Sequence, residues 1–344
     1  MRWMILLTLA ILPVPAMTQA AMDSARAAKL YVSDRPEDMP VEDFAALDRE
    51  KARTDSIYAA RSAGVMNFRK VSYRSSVDGL TIPAYIFSPI EKPGPPTRRA
   101  ALVWVHGGVH SHWEARMLPF VREAVERGYV VITPEYRGSG GFGEDFYRAI
   151  DYGGKEVDDV LSAVAFLNTL PNVDSSRLGI MGWSHGGYIT ALLLFRGNSP
   201  FRAGVAIVPV TNLFHRLALR GPEYEREFST QAGIRGMPFE KPAEYMKRSP
   251  LFSVDGLDVP MMVHFASNDT NVTMSESQQL VDALRARKPE LADVKVYDNP
   301  ATGYSGRGHT FSRRVNETTL LRDDSPAQED SWTRTWQFFD RWLR

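Results

Sequence analysis

The stretch Gly182-Trp183-Ser184-His185-Gly186, followed by Gly187, sets a serine between small residues, where an apolar run at 178–181 gives way to an apolar helical pattern at 185–195. A strand, a turn too tight for bulky neighbours and a helix together lift a serine clear of a sheet. Its oxygen then lies by the helix N-terminus, where unpaired backbone N–H groups and the helix dipole favour developing negative charge. The chemistry this suits is attack on a carbonyl carbon through an acyl-enzyme intermediate.

A serine hydroxyl is a poor nucleophile until a base takes its proton. The chain has seven histidines, at 106, 110, 112, 185, 215, 264 and 309. In sheets that carry such an elbow, the α/β-hydrolases, the chain order is Ser, acid, His. That order leaves His215, His264 and His309. His264 falls inside an apolar strand pattern and reads as core, and His215 precedes every good acid candidate. His309, in Gly306-Arg307-Gly308-His309-Thr310-Phe311, follows the last expected strand on a glycine-rich loop and is the expected base. The acid belongs just past a strand between the two. Asp269, one short polar turn beyond the strand at 261–265, is the expected partner that holds the imidazole in its working tautomer. Asp298 is the second candidate, whereas Asp255 and Asp258 precede the strand and Asp282 falls mid-helix. Acyl transfer also needs donors for the oxyanion. These are the backbone N–H of His185 and that of Gly108, preferred over Gly107, in the His106-Gly107-Gly108 stretch that follows the apolar run at 100–105. Trp183, Tyr136 and parts of 211–250 are expected to line the substrate pocket. His106, His110 and His112 have no supporting carboxylate pattern, so no metal and no cofactor is expected.

The rest of the chain supplies elements to position these groups. Strand patterns at 68–73 and 80–87 flank Asp78-Gly79, a hairpin signal. From residue 100 the rhythm is strand, loop, helix: strands at 100–105, 129–133, 177–181, 203–208, 261–265 and 294–297, helices at 114–127, 157–170, 185–195 and 275–287, and a terminal amphipathic helix through Trp332, Trp336, Phe339 and Leu343. Alternation of this kind specifies a mostly parallel sheet covered by helices on both faces. Residues 211–258 break the rhythm and read as a cap-like insertion over the carboxyl edge of the sheet, where open α/β sheets bind ligands. Residues 21–66 read as a helical extension before the catalytic domain at 67–344.

Composition narrows the function classes. Forty-one Lys+Arg against 41 Asp+Glu gives zero net charge, which removes the electrostatic footprint of a nucleic-acid binder. There is no cysteine, so thiolate nucleophiles and disulfide frameworks are excluded. At the N-terminus Arg2 precedes an apolar run at 3–12, and Ala16, Thr18, Ala20 and Ala21 follow, the three parts of a secretory signal peptide. Residues 1–20 are read as that signal, giving a periplasmic or secreted protein with no membrane anchor.

With these motifs assembled, the chain resembles the catalytic domain of prolyl-oligopeptidase-type serine peptidases, the dipeptidyl- and acylaminoacyl-peptidase group, over roughly residues 70 to 344. The resemblance rests on Ser76-Val77-Asp78-Gly79, His106-Gly107-Gly108, Tyr136-Arg137-Gly138-Ser139-Gly140-Gly141-Phe142-Gly143, the serine motif, Ser249-Pro250, Asp269-Thr270-Asn271-Val272 and Gly308-His309-Thr310-Phe311. It implies an α/β-hydrolase fold, a Ser184, Asp269, His309 triad and a peptide or other small acyl substrate. Three features depart from the family. The segment before the fold is too short for a β-propeller at about 40 residues per blade. The usual His-Gly four residues ahead of the acid is here His264-Phe265, with the acid five residues on. No paired glutamates stand ready to capture a free amino terminus. The expected function is a serine peptidase acting on short peptides or acylaminoacyl amides. A carboxylesterase or deacylase on the same triad is the alternative, and an inert binding protein the third reading.

Overall fold

The computed structural model of the protein describes residues 42–344 apart from 222–224, 226, 227, 230, 232 and 302–307. The expected signal peptide lies outside the described residues. Helix α1 (Phe44–Ser62) leads into a hairpin of β1 (Asn67–Arg74) and β2 (Thr81–Ser88). Then come β3 (Arg99–Val105), α2 (Leu118–Glu126), β4 (Val130–Pro134), the short α3 (Glu144–Arg148), α4 (Lys155–Leu167), β5 (Val173–Trp183) and α5 (His185–Leu194). The chain continues through β6 (Ala203–Ile207), α6 (Leu213–Arg220), α7 (Pro242–Lys247), β7 (Met261–Ala266), α8 (Met274–Arg287), β8 (Ala292–Tyr297) and α9 (Pro326–Leu343).

The eight strands form one sheet in the order β1-β2-β4-β3-β5-β6-β7-β8. β2 is antiparallel to both β1 and β4, and every later pairing is parallel. This is the mostly parallel α/β-hydrolase sheet. Residues of β3, β4, β6 and β7 are almost wholly buried because helices cover both faces, so these strands are continuous apolar runs with no polar alternation. All ten residues of α5 are buried as well, which explains why that helix is apolar all round. One face is filled by a cluster in which Trp104, Trp183, Trp332 and Trp336 pack ring on ring, with α9 delivering the last two.

Boundaries shift for local reasons. The expected helix at 114–127 is a 3-10 turn (Ala115–Met117) followed by α2, because Pro119 in the first helical turn lacks the N–H an earlier start would require. β5 begins four residues earlier than the apolar pattern, since Arg99 pairs with Val173 through backbone alone and the polar Asp174-Ser175-Ser176 stretch hides that pairing. α1 packs on the sheet as part of the same body, its Tyr58 wedged against Phe68, Tyr85 and Phe87. Among the described residues, no helix is long and apolar enough to cross a membrane.

Candidate active site

Ser184 sits between the end of β5 and the start of α5 with φ 51°, ψ −116°, in a backbone region that costs a non-glycine residue strain. The turn holds because its neighbours have no side chains. A Cβ on Gly182 would lie 2.4 Å from the Gly186 carbonyl carbon, and one on Gly186 would lie 2.3 Å from the Val105 carbonyl oxygen. The Ser184 N–H donates to the Ile207 carbonyl (2.9 Å), and its carbonyl accepts from the Tyr188 N–H (2.8 Å), fixing the turn from both sides. The residue itself stays half-buried and open to a cavity.

The loop after β8 carries His309 to the same cavity. Its Nδ1 lies 2.7 Å from Asp269 Oδ2, and both side chains are buried. Asp269 follows β7 by one turn, with its N–H on the Ala266 carbonyl (3.2 Å). Its other oxygen, Oδ1, accepts the N–H groups of Asn271 (2.8 Å) and Val272 (3.0 Å). The carboxylate is therefore aimed, one oxygen to the backbone and one to the imidazole. With Asp269 five residues after His264, the turn still brings the carboxylate to the imidazole. Asp298 is exposed and accepts from Ser267 Oγ (2.9 Å) instead. His264 is buried in β7, its Nδ1 2.9 Å from Ser331 Oγ, and His215 Nε2 lies 3.1 Å from Ser275 Oγ.

The cavity measures about 230 Å³ and is walled by His106, Gly107, Gly108, Ser111, His112 and Glu114 on one loop, with Ser184, Asn271, His309 and Arg313 opposite. That volume is below the usual range for small-molecule pockets, and suits a segment of a substrate rather than a whole ligand. Gly107 approaches closest to the serine, since a Cβ there would stand 3.4 Å from Ser184 Cβ. Gly108, at φ +71°, follows it at the rim. His185 opens α5, so its N–H belongs to the first turn beside Ser184.

Two expectations about the pocket, for Tyr136 and for 211–258, need correction. Tyr136 does not line it. The ring is fully buried, stacked 4.2 Å from the His106 ring, and its hydroxyl donates to the Gly108 carbonyl (2.6 Å), so it supports the glycine loop from beneath. Trp183 borders the cavity as expected, its indole packed into the tryptophan cluster and donating to Ser312 Oγ (2.7 Å). No described residue of 211–258 reaches this cavity. Polar anchors draw that segment aside: Arg248 holds Asp151 and the Tyr152 carbonyl, and the Thr211 N–H and hydroxyl bond Glu276. Ser111, Glu114 and Arg313 were not singled out from sequence, and His112 was weighed there only as a metal ligand. Asn271 stood in the sequence only as part of the Asp269-Thr270-Asn271-Val272 stretch.

Burial dominates the electrostatics. It pushes His106, His185 and His264 down to about 3 and His110 and His112 to about 4, against an ordinary 6.5. It pushes Glu135 up to about 7 and Glu156 to about 8, against an ordinary 4.5. Between pH 6.5 and 4.5 the unfolded chain binds protons at these five histidines that the folded chain refuses, so stability falls as pH falls. The two glutamates act oppositely in that window, being protonated when folded and ionised when unfolded. Five uptakes against two releases leave a net of about three protons on acid unfolding, at most about 4 kcal/mol per pH unit. The thermal midpoint should therefore drop steeply from pH 6.5 to 5, as read by differential scanning calorimetry. A midpoint constant over that window would show that these imidazoles are not held neutral.

A sequence model described as the prolyl oligopeptidase family matches residues 112–320. Over 239 residues the chain is 28% identical to a Bacillus subtilis (strain 168) protein named uncharacterized peptidase YuxL, covering 69% of this chain and 36% of that one. It is 31% identical over 216 residues to dipeptidyl aminopeptidase BIII of Pseudoxanthomonas mexicana, covering 62% of this chain and 30% of that enzyme. The chain thus spans about a third of the length of these curated relatives. Among solved structures, Pyrococcus horikoshii acylaminoacyl peptidase superposes with a TM-score of 0.63 at 21% identity, over 83% of this chain and 43% of that one, a likeness of fold.

Proposed function

The chain belongs to the prolyl oligopeptidase family, and from that membership and the site geometry we propose that it is a serine peptidase cleaving short peptides or acylaminoacyl amides. The observation that carries this reading is one cavity shared by Ser184, on its strained elbow, and His309, whose far nitrogen is bonded to Asp269. In the proposed cycle His309 Nε2 takes the proton of Ser184 Oγ as that oxygen bonds to the substrate carbonyl carbon. The carbonyl π pair moves onto oxygen, and the N–H groups of His185 and Gly108 hold the resulting anion. The anion collapses, the C–N bond breaks, and His309 returns the proton to the departing nitrogen. Water then repeats the sequence on the acyl-enzyme, releasing the acid and restoring Ser184. Asp269 fixes the imidazole with its proton on Nδ1 and offsets the charge that forms.

Esters pass through the same intermediates, so the triad serves both reactions, and the names of the relatives favour the amide. Parallel turnover of N-acyl-aminoacyl amides and short acyl esters separates the two. The proposal expects amide turnover that disappears in Ser184→Ala; ester turnover with inert amides would select the esterase reading. Export also belongs to the proposal. N-terminal sequencing of protein recovered outside the cytoplasm should begin near residue 21, and recovery with Met1 intact would oppose it.

A further inference from the structure

Glu135, the residue that follows β4 at the carboxyl edge of the sheet, has no place in the reaction scheme and yet is fully buried. Both of its carboxyl oxygens lie 3.2 Å from the Trp113 backbone N–H. Oε2 is 3.4 Å from His106 Nε2, and Oε1 is 3.5 Å from the buried Lys51 ammonium on α1. His106 and Trp113 are the two ends of the loop that walls the cavity and presents Gly107, Gly108 and Ser111 to Ser184. One carboxyl group therefore accepts the Trp113 N–H at one end of an eight-residue segment, 106–113, and packs against the neutral His106 ring at the other.

We propose that Glu135 is a positioning residue, one that acts through the 106–113 loop to hold the Gly108 N–H where the oxyanion forms, with Lys51 balancing its charge. This rests on the serine-hydrolase reading above. The physical ground is that a donor aids the transition state only if its place is fixed before the charge appears. The Gly108 carbonyl is pinned by Tyr136, the His106 ring is held by Ser139 Oγ at 2.9 Å, His110 Nδ1 lies 2.6 Å from the Gly138 carbonyl and the Ser111 carbonyl accepts the Gly140 N–H (3.1 Å), but none of these contacts takes the Trp113 N–H. Glu135 alone among these touches both ends, bonding the Trp113 N–H and lying 3.4 Å from His106 Nε2. Untying it leaves Ser184, His309 and Asp269 where they are, and loosens only the donor opposite them.

The test uses full-length chain. Glu135→Met removes one of two carboxylates beside the buried Lys51 ammonium, which keeps Asp55 Oδ1 at 2.9 Å, and Lys51→Met/Glu135→Met, the main variant, removes both charges and leaves Asp55 to Lys70; replacing a buried ion pair by apolar side chains of similar size commonly preserves stability. The double variant should keep a thermal midpoint near wild type, lose 10- to 100-fold in kcat with KM changed less than threefold, and bind a peptide aldehyde, whose adduct carries an oxyanion, weaker by the same factor as kcat/KM. Glu135→Gln, which retains an acceptor for the Trp113 N–H, should fall between and serves if the double variant does not fold. A structural role alone would return kcat and aldehyde affinity together with stability, and that result overturns the proposal, as does a loss confined to KM. Amide hydrogen exchange reads the tether without turnover: at matched global stability the Trp113 and Gly108 amides should exchange faster in the double variant. Unchanged exchange refutes the clasp. A wild type inert to every acyl substrate, with loop exchange still faster in the variant, would instead sink the hydrolase reading and leave the clasp standing.

Discussion

Ser184→Ala should lose on the order of 10⁶-fold in kcat toward any amide or ester the wild type turns over, while folding as before. The fold is spared because the residue's backbone carries the turn. Its N–H and carbonyl bond Ile207 and Tyr188, and alanine keeps both. Alanine meets the same φ of 51° that serine does, so no strain is added or released. His309→Ala should cost nearly as much, and the double variant hardly more than either single one, because nucleophile and base act as a unit. Loss factors that multiplied instead of saturating would show that the two side chains work independently. The comparison needs only initial rates and a far-UV spectrum for each variant.

Asp269→Asn should cost about 10⁴-fold in kcat, for a reason written in the contacts of the two carboxyl oxygens. Oδ1 accepts two backbone N–H groups, from Asn271 and Val272, so an asparagine must turn its oxygen to that side. Its amide N–H₂ then faces His309 Nδ1, which becomes an acceptor, and the remaining proton moves to Nε2. In that tautomer the imidazole cannot take the serine proton. Asp298→Asn is the matched control. Asp298 is exposed and, among the described residues, accepts only from Ser267, and its loss should leave kcat within about threefold. A severe Asp298 variant beside a mild Asp269 variant would reverse the assignment of the acid.

How much of this was legible in the sequence differs by the kind of contact involved. The elbow was readable because sterics permit so few residues beside the serine, and Gly182 and Gly186 are required by backbone atoms within 2.5 Å of where a Cβ would stand. Asp269 and His309 could be placed because a parallel sheet puts loop residues at one edge, whatever the details of the loops. The hairpin at Asp78-Gly79 was readable too, but not the service it performs: Asp78 reaches across to Arg137, whose guanidinium also grips the buried Asp159.

Directions of aromatic rings were not legible. A tyrosine beside a glycine-rich motif has the same one-letter neighbours whether it points at a cavity or into the core, and Tyr136 turned inward to the Gly108 carbonyl, whereas Trp183 borders the cavity with its indole bonded to Ser312. The course of 211–258 was hidden for the same reason, since its anchors Arg248–Asp151 and Thr211–Glu276 join segments 97 and 65 residues apart. Glu135 had one overlooked signal, an acidic residue directly after a buried strand at the edge where sites assemble. Its pairing with Lys51 of α1 could come only from coordinates, because the preamble helix offers no motif of its own.

The account stands on Ser184 being activated by His309, and the most direct measurement is the mass of the protein after exposure to a fluorophosphonate, followed by mapping of the modified peptide. One phosphonyl group on Ser184 is predicted, absent in Ser184→Ala and slowed by orders of magnitude in His309→Ala. An unmodified wild type, or an adduct on another serine that forms equally well without His309, would contradict it.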